Sequence, residues 1–200
     1  MFYSINLDLD KFEVVIIGGG NVAYRKCKNF LEFNKKVKVI APKFIKEFKE
    51  LSKNVELIED TYKEEYIKDS LIVVAATNNN NVNKAIGNYC NLHNKLVNVV
   101  DNIELSNFTV PSYIKRGDLL ISVSTGGKSP SLSRKIKKEL ENKYDNSYEE
   151  YINLLGEVRR KIIEKVDDIS KRRELIKKLI NLNLEELKEE NNKYNNLESK

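Results

Sequence analysis

The chain has 200 residues, 40% hydrophobic and 32% charged, with 35 Lys and Arg against 30 Asp and Glu for a formal net charge of +5. That length holds one good core or two modest ones and excludes a large multidomain machine. The longest apolar runs, Val14 to Ile17 and Leu71 to Ala76, fall far short of the ~20 residues that span a bilayer, and Asp8 and Asp10 stand where an export signal would be basic and then apolar, so a cytoplasmic protein without a membrane partner is expected.

In chain order, Glu13 to Ile17 is a β-branched run too short for a helix, followed at once by Gly18-Gly-Gly20 and by a stretch to Phe33 whose apolar residues Val22, Ala23, Cys27, Phe30 and Leu31 recur at helical spacing. Val37 to Ala41 reads as the next strand and completes a βαβ unit. Phe44 to Leu51 reads as a short helix, Val55 to Ile58 as a third strand, and Leu71 to Ala76 as a central strand covered on both faces. Asn81 to Asn91 then reads as a helix and Leu96 to Val100 as a strand. This alternation predicts an α/β fold with an open parallel sheet. Beyond Asp101 the rhythm changes: strands are expected at Phe108 to Val110 and Leu119 to Ser124, a basic helix at Pro130 to Tyr144, and helical structure from Tyr148 to Leu187. Residues 189–200 hold little that could offset the entropy of ordering and are expected to be disordered.

The excess charge is concentrated, since residues 111–144 carry eight Lys and Arg against Asp118, Glu139 and Glu141. A field of that kind attracts an anion. Cys27, Cys90 and the single histidine, His93, have no spacing that would assemble a disulfide framework or a zinc cage.

Between its strand and helix, Gly18-x-Gly20-x-x-Ala23 has the dinucleotide-binding pattern, with Ala in the third position. Gly18 permits the turn, Gly20 lets a pyrophosphate approach the backbone, Ala23 allows close helix packing, and the helix N-terminus offers free N–H groups. The acid that ordinarily holds the adenosine ribose is missing: Pro42 and Lys43 follow the second strand, and Lys43 leaves NAD and NADP both open. Thr77 and Asn78, after the central strand, combine turn propensity with cofactor contact. A second glycine turn, Ser124-Thr125-Gly126-Gly127-Lys128-Ser129, opens the basic helix. Ser122 stands where an ATP-binding loop needs glycine, so two readings stay open, an ordinary capped turn or a carboxylate site completed by Lys128 and Arg134. Asp101, at the carboxyl end of its strand, is either a turn former or a carboxylate facing the ligand crevice.

Taken in order, Ile17-Gly-Gly-Gly-Asn-Val-Ala23 with Arg25-Lys26, Val74-Ala-Ala-Thr77, Asn98-Val-Val-Asp101, Phe108-x-x-Pro111, Ser124-Thr-Gly-Gly-Lys-Ser-Pro130 and Lys171-Arg-Arg173 resemble the precorrin-2 dehydrogenase family, the dehydrogenase portion of sirohaem synthases. The resemblance covers about residues 1–180. It implies a homodimer with a Rossmann-type NAD-binding domain at residues 1–108, a small α+β dimerisation domain at 109–145 and a helical domain at 146–188, ahead of the tail at 189–200 read from composition. It implies NAD as the acceptor, with Asn21, Val22, Pro42 and Lys43 at cofactor-contact positions beside Gly18, Gly20, Thr77 and Asn78. The implied substrate is precorrin-2, a tetrapyrrole with eight carboxylates that is converted to sirohydrochlorin, with Ser124 to Ser129 and Arg134 as its binding residues. Asp101 matches the family's essential aspartate. Some members also insert Fe²⁺ into the product, so ferrochelation stands as a second implied activity. A runner-up is an NAD-responsive regulatory module with a basic partner-binding region, but no helix-turn-helix pattern stands out and nucleic acid is not expected as a partner.

Overall fold

The computed structural model describes residues 3–51, 54–100 and 102–196. They fall into two compact units, one ending at Val110 and the other beginning at Pro111.

Five parallel strands build the first unit: β1 (Val14–Ile17), β2 (Val37–Ala41), β3 (Val55–Glu59), β4 (Ile72–Ala75) and β5 (Leu96–Val99), in the order β3-β2-β1-β4-β5. The helix α1 (Asn21–Leu31) connects β1 to β2, and α2 (Asn80–Leu92) connects β4 to β5. Every side chain of β1 and β4 is buried, because these strands have neighbours on both sides and cover on both faces. Alternate residues part between the faces, as strand geometry demands. Val14, Ile16, Val39 and Val74 join Ala23, Cys27 and Phe30 of α1, whereas Val15, Ile17, Val73 and Val97 join Ile86 and Cys90 of α2. Burial pushes both thiols up to about 11, which keeps them protonated at neutral pH.

Two expectations for this unit are corrected. Between Phe44 and Leu51 the only helical residues are the 3-10 turn Lys46–Glu50. It is tethered at Ile45, whose N–H donates to Gly19 O at 2.9 Å, and Phe48 is buried edge-on to Tyr24 and Phe44, which leaves no length for an α-helix. Phe108–Val110 is not a strand. Side chains take the place of ladder partners on the β5 edge: Asn107 Oδ1 accepts from Val97 N–H at 2.8 Å, and Ser106 Oγ accepts from Val99 N–H at 2.9 Å. The edge is thereby closed without a sixth strand.

At the start of β5, Lys95 is only 9% exposed, and its ammonium donates to Lys68 O and Ser70 O, each at 2.6 Å. Lys95→Met removes the donor and leaves two carbonyls short of a partner, so urea unfolding should report a loss of roughly 2–4 kcal/mol. A loss below roughly 0.5 kcal/mol, the level of an ordinary surface change, would show that water replaces the ammonium freely.

In the second unit, β6 (Ser112–Arg116) and β7 (Leu119–Val123) form an antiparallel hairpin through Gly117-Asp118, with Gly117 at φ +57°. Then follow α3 (Pro130–Lys143), α4 (Ser147–Lys165), α5 (Ile169–Leu179) and α6 (Leu184–Asn196). Asp168 caps α5 by accepting from Lys171 N–H at 2.6 Å, and Asn183 with Glu186 forms a reciprocal capping box at the start of α6. These caps divide what periodicity alone reads as one helical stretch. The tail expectation is also corrected, because residues 189–196 belong to α6. Leu187 and Tyr194 bury beside Val158 and Ile162 of α4, Lys161 donates to Asn191 and Asn195, and Lys165 donates to Tyr194 O. Tertiary contacts thus override the weak helix propensity of the asparagines. Residues 197–200 lie outside the described residues.

Candidate functional site

The sheet order reverses at β1, so the crevice beyond the carboxyl ends of β1 and β4 is the topological switch point at which open α/β sheets bind ligands. A cavity of about 670 Å³ lies along these strand ends, walled by the glycine turn, the Pro42–Ile45 connection, Thr61-Tyr62 and the Thr77–Asn79 loop. Its volume is that of a small-molecule or cofactor pocket. Among the described residues Lys43 is the only charged one in its wall.

Each glycine of the turn has a different role. Gly18 sits at φ +135°, donates its N–H to Ile40 O at 2.8 Å, and would bring a Cβ to 2.2 Å from Ala76 O. A Cβ on Gly19 would stand 2.1 Å from Lys43 O, which makes this residue the joint between the turn and the loop after β2. Gly20 has open space around its Cβ direction and starts α1 with no side-chain cap, so the helix's first N–H groups have no capping oxygen. That open cradle at a helix N-terminus fits the pyrophosphate of a dinucleotide.

The expected cofactor residues Gly18, Gly20, Pro42, Lys43, Thr77 and Asn78 all line this cavity, while Asn21 and Val22 begin α1 immediately after it. Sequence reasoning missed Gly19, Thr61, Tyr62 and Asn79. Thr61 and Tyr62 carry no local signal, since only the sheet order brings the end of β3 beside β2. Nearby Asp60 is not a free ribose acid. Its carboxylate accepts from Lys63 at 2.6 Å, Tyr66 at 2.5 Å and Thr61 N–H at 2.7 Å, and the Lys63 hydrogen bond, with those of Tyr66 and Thr61, holds it far below the usual carboxylate range. Tyr62 lines the cavity, and its hydroxyl is buried without a hydrogen-bond partner among the described residues.

The second glycine turn lies in the other unit. Gly126 and Gly127 take positive φ, Ser129 Oγ caps α3 by accepting from Leu132 N–H at 3.3 Å, and Thr125 Oγ1 accepts from Ser129 N–H at 3.1 Å. Ser124 Oγ accepts from Gly126 N–H at 3.2 Å. In these bonds the hydroxyls accept, which leaves their O–H groups as donors beside two exposed cations, Lys128 and Arg134. Asp101 lies outside the described residues. Among the described residues there is no group of three or more His, Cys, Asp or Glu that could hold a metal ion, and no helix is long and apolar enough to cross a membrane.

Residues 5–112 match a family model described as putative NAD(P)-binding, and residues 116–143 one described as sirohaem biosynthesis protein central. Siroheme synthases of Ruthia magnifica subsp. Calyptogena magnifica and Pseudoalteromonas translucida are 33% identical over 174 and 175 residues, covering 86% of this chain and 37% of theirs. The chain thus spans a little over a third of the length of these relatives. The precorrin-2 dehydrogenase of Priestia megaterium is 33% identical over 180 residues, 89% of each chain. Among solved structures, "SirC, precorrin-2 dehydrogenase" superposes with a TM-score of 0.79 at 28% identity, over 98% of this chain and 100% of that one. Similarity running nearly the full length of both chains, in sequence and in fold, does not come from a shared nucleotide-binding motif alone, and the chain belongs to the precorrin-2 dehydrogenase family.

Proposed function

We propose that the chain oxidises precorrin-2 to sirohydrochlorin with NAD⁺ as the acceptor. The observation that carries this reading is the open Gly20 cradle at the uncapped start of α1, facing a cavity whose only charged wall residue, among the described residues, is a lysine, in a chain with a dehydrogenase relative of matching length. When bound, NAD⁺ supplies the hydride acceptor. The chain's own residues do the rest: the glycine turn and the Pro42-Lys43 backbone hold the dinucleotide, and Lys128 and Arg134 hold carboxylates of the macrocycle. Asp101 takes the proton that leaves as the hydride departs, or in ferrochelation the pyrrole N–H protons. Calorimetry with NAD⁺ and NADP⁺ tests the cofactor half of this reading; tighter binding of NADP⁺ would mean that Lys43 pairs with a 2′-phosphate.

The three-part organisation, with dimerisation through residues 109–145, belongs to the same proposal. It is supported by the small size of the β6–β7 hairpin and by Leu120 and Leu132, which are 40% and 47% exposed. Two such chains would scatter light as twice 23.2 kDa, and a mass of one chain at micromolar concentration would count against the dimer.

The cations of the second unit give a further prediction. Lys128→Ala should raise KM for precorrin-2 with little change in kcat, and the difference from wild type should shrink as salt rises, because exposed charges are screened over ~10 Å at 0.1 M. An effect that falls on kcat and persists in high salt would place Lys128 against the reacting atoms instead.

A further inference from the structure

The Thr77–Asn79 wall of the cavity is organised by a side chain that is not part of the wall. Asn83, in the first turn of α2, is 5% exposed. Its amide is spent on one residue: Oδ1 accepts from Thr77 N–H at 3.1 Å and from Thr77 Oγ1 at 2.7 Å, while Nδ2 donates to Thr77 O at 3.0 Å. Thr77 is thereby held at its donor, its acceptor and its hydroxyl, as a neighbouring strand would hold a residue, although β4 has already ended at Ala75. The hold is passed on, since Thr77 Oγ1 accepts from Asn79 N–H at 3.1 Å and Asn79 Oδ1 accepts from the N–H groups of Asn81 and Val82.

The same residues abut the glycine turn. The Cβ direction of Gly18 points at Ala76 O, 2.2 Å away, and at Thr77 N, 3.3 Å away. A shift of Thr77 therefore changes the gap between the two cavity walls and the shape of the turn together. A buried amide paired in this way favours one arrangement, because any other leaves polar groups without partners.

We infer that Asn83 is a positioning residue of the cofactor site, which holds the Thr77–Asn79 wall, through Thr77, at the spacing from the glycine turn that a dinucleotide requires. The inference rests on the NAD⁺ reading proposed above. Its test is a double-mutant cycle with Asn83→Ala and Thr77→Val, read by calorimetry with NAD⁺ and by steady-state kinetics, with thermal unfolding followed in parallel. Asn83→Ala, which removes all three bonds to Thr77, should weaken NAD⁺ binding about tenfold, Thr77→Val should weaken it less, and the double change should cost less than the sum, because the Thr77 Oγ1 to Asn83 Oδ1 bond is lost in both. The loss should fall on KM for NAD⁺ rather than on kcat.

Should Asn83→Ala fail to fold, Asn83→Asp, which keeps the accepting oxygen and loses the donation to Thr77 O, carries the test, with weaker NAD⁺ binding expected. Unchanged NAD⁺ affinity in the folded variants, or losses that simply add, would overturn the positioning role. A wild-type protein that does not bind NAD⁺ would instead overturn the cofactor reading on which it rests.

Discussion

Gly20→Asp is expected to give a folded protein whose NAD⁺ affinity falls at least about a hundredfold, whereas Gly18→Ala is expected to unfold more easily as well. The difference follows from where each side chain would go. At Gly20, φ −93° and ψ −175° is extended backbone open to any residue, and a Cβ meets nothing within 4 Å. The apoprotein can therefore accept the carboxylate, which then occupies and repels the site of the pyrophosphate. At Gly18 a Cβ at φ +135° would collide with the backbone of Ala76 at 2.2 Å, and that residue directly follows β4 with its N–H bonded to Ile17 O at 2.8 Å, so it cannot give way cheaply. The cost should reach roughly 3 kcal/mol or more. Thermal unfolding and NAD⁺ calorimetry on the two variants separate the effects. Wild-type affinity in Gly20→Asp would remove the pyrophosphate from this turn, and wild-type stability in Gly18→Ala would show that the turn can open.

Asp101→Ala should lower kcat by about 10²–10⁴ with precorrin-2 affinity nearly intact, the loss expected when a general base is removed from a positioned substrate. The role rests on the resemblance to the family, in which Asp101 matches the essential aspartate. Substrate binding should survive, because the proposed function gives the carboxylates of the macrocycle to Lys128 and Arg134. Wild-type kcat in Asp101→Ala would return this aspartate to the role of a turn former.

The parallel sheet was legible because its strands are short β-branched runs punctuated by glycine and asparagine, and burial on both faces requires such runs. The glycine turn was legible as a pattern, but the reasons for each glycine were not. Gly19 is required by Lys43 O, an atom delivered by the loop after β2, so no local reading could single it out. Asn83 was hidden for a similar reason: in Thr77-Asn-Asn-Asn-Asn-Val-Asn83 every asparagine favours a turn, and only burial distinguishes the one that pairs with Thr77. Phe108–Val110 misled through its β propensity, since whether an extended segment joins a ladder depends on what else satisfies the edge, and here the side chains of Ser106 and Asn107 do. Residues 189–196 misled in the opposite direction. Their composition is poor, yet Tyr194 and the asparagines facing Lys161 find partners on α4 that no window of sequence contains.

The most direct test of the proposed reaction is to incubate the purified protein with precorrin-2 and NAD⁺ under anaerobic conditions and follow both chromophores. The expected result is that NADH forms in step with the loss of precorrin-2 and the appearance of the sirohydrochlorin spectrum, and that Gly20→Asp abolishes both changes. Unchanged spectra with the wild-type protein, under conditions in which calorimetry shows NAD⁺ bound, would contradict the dehydrogenase assignment.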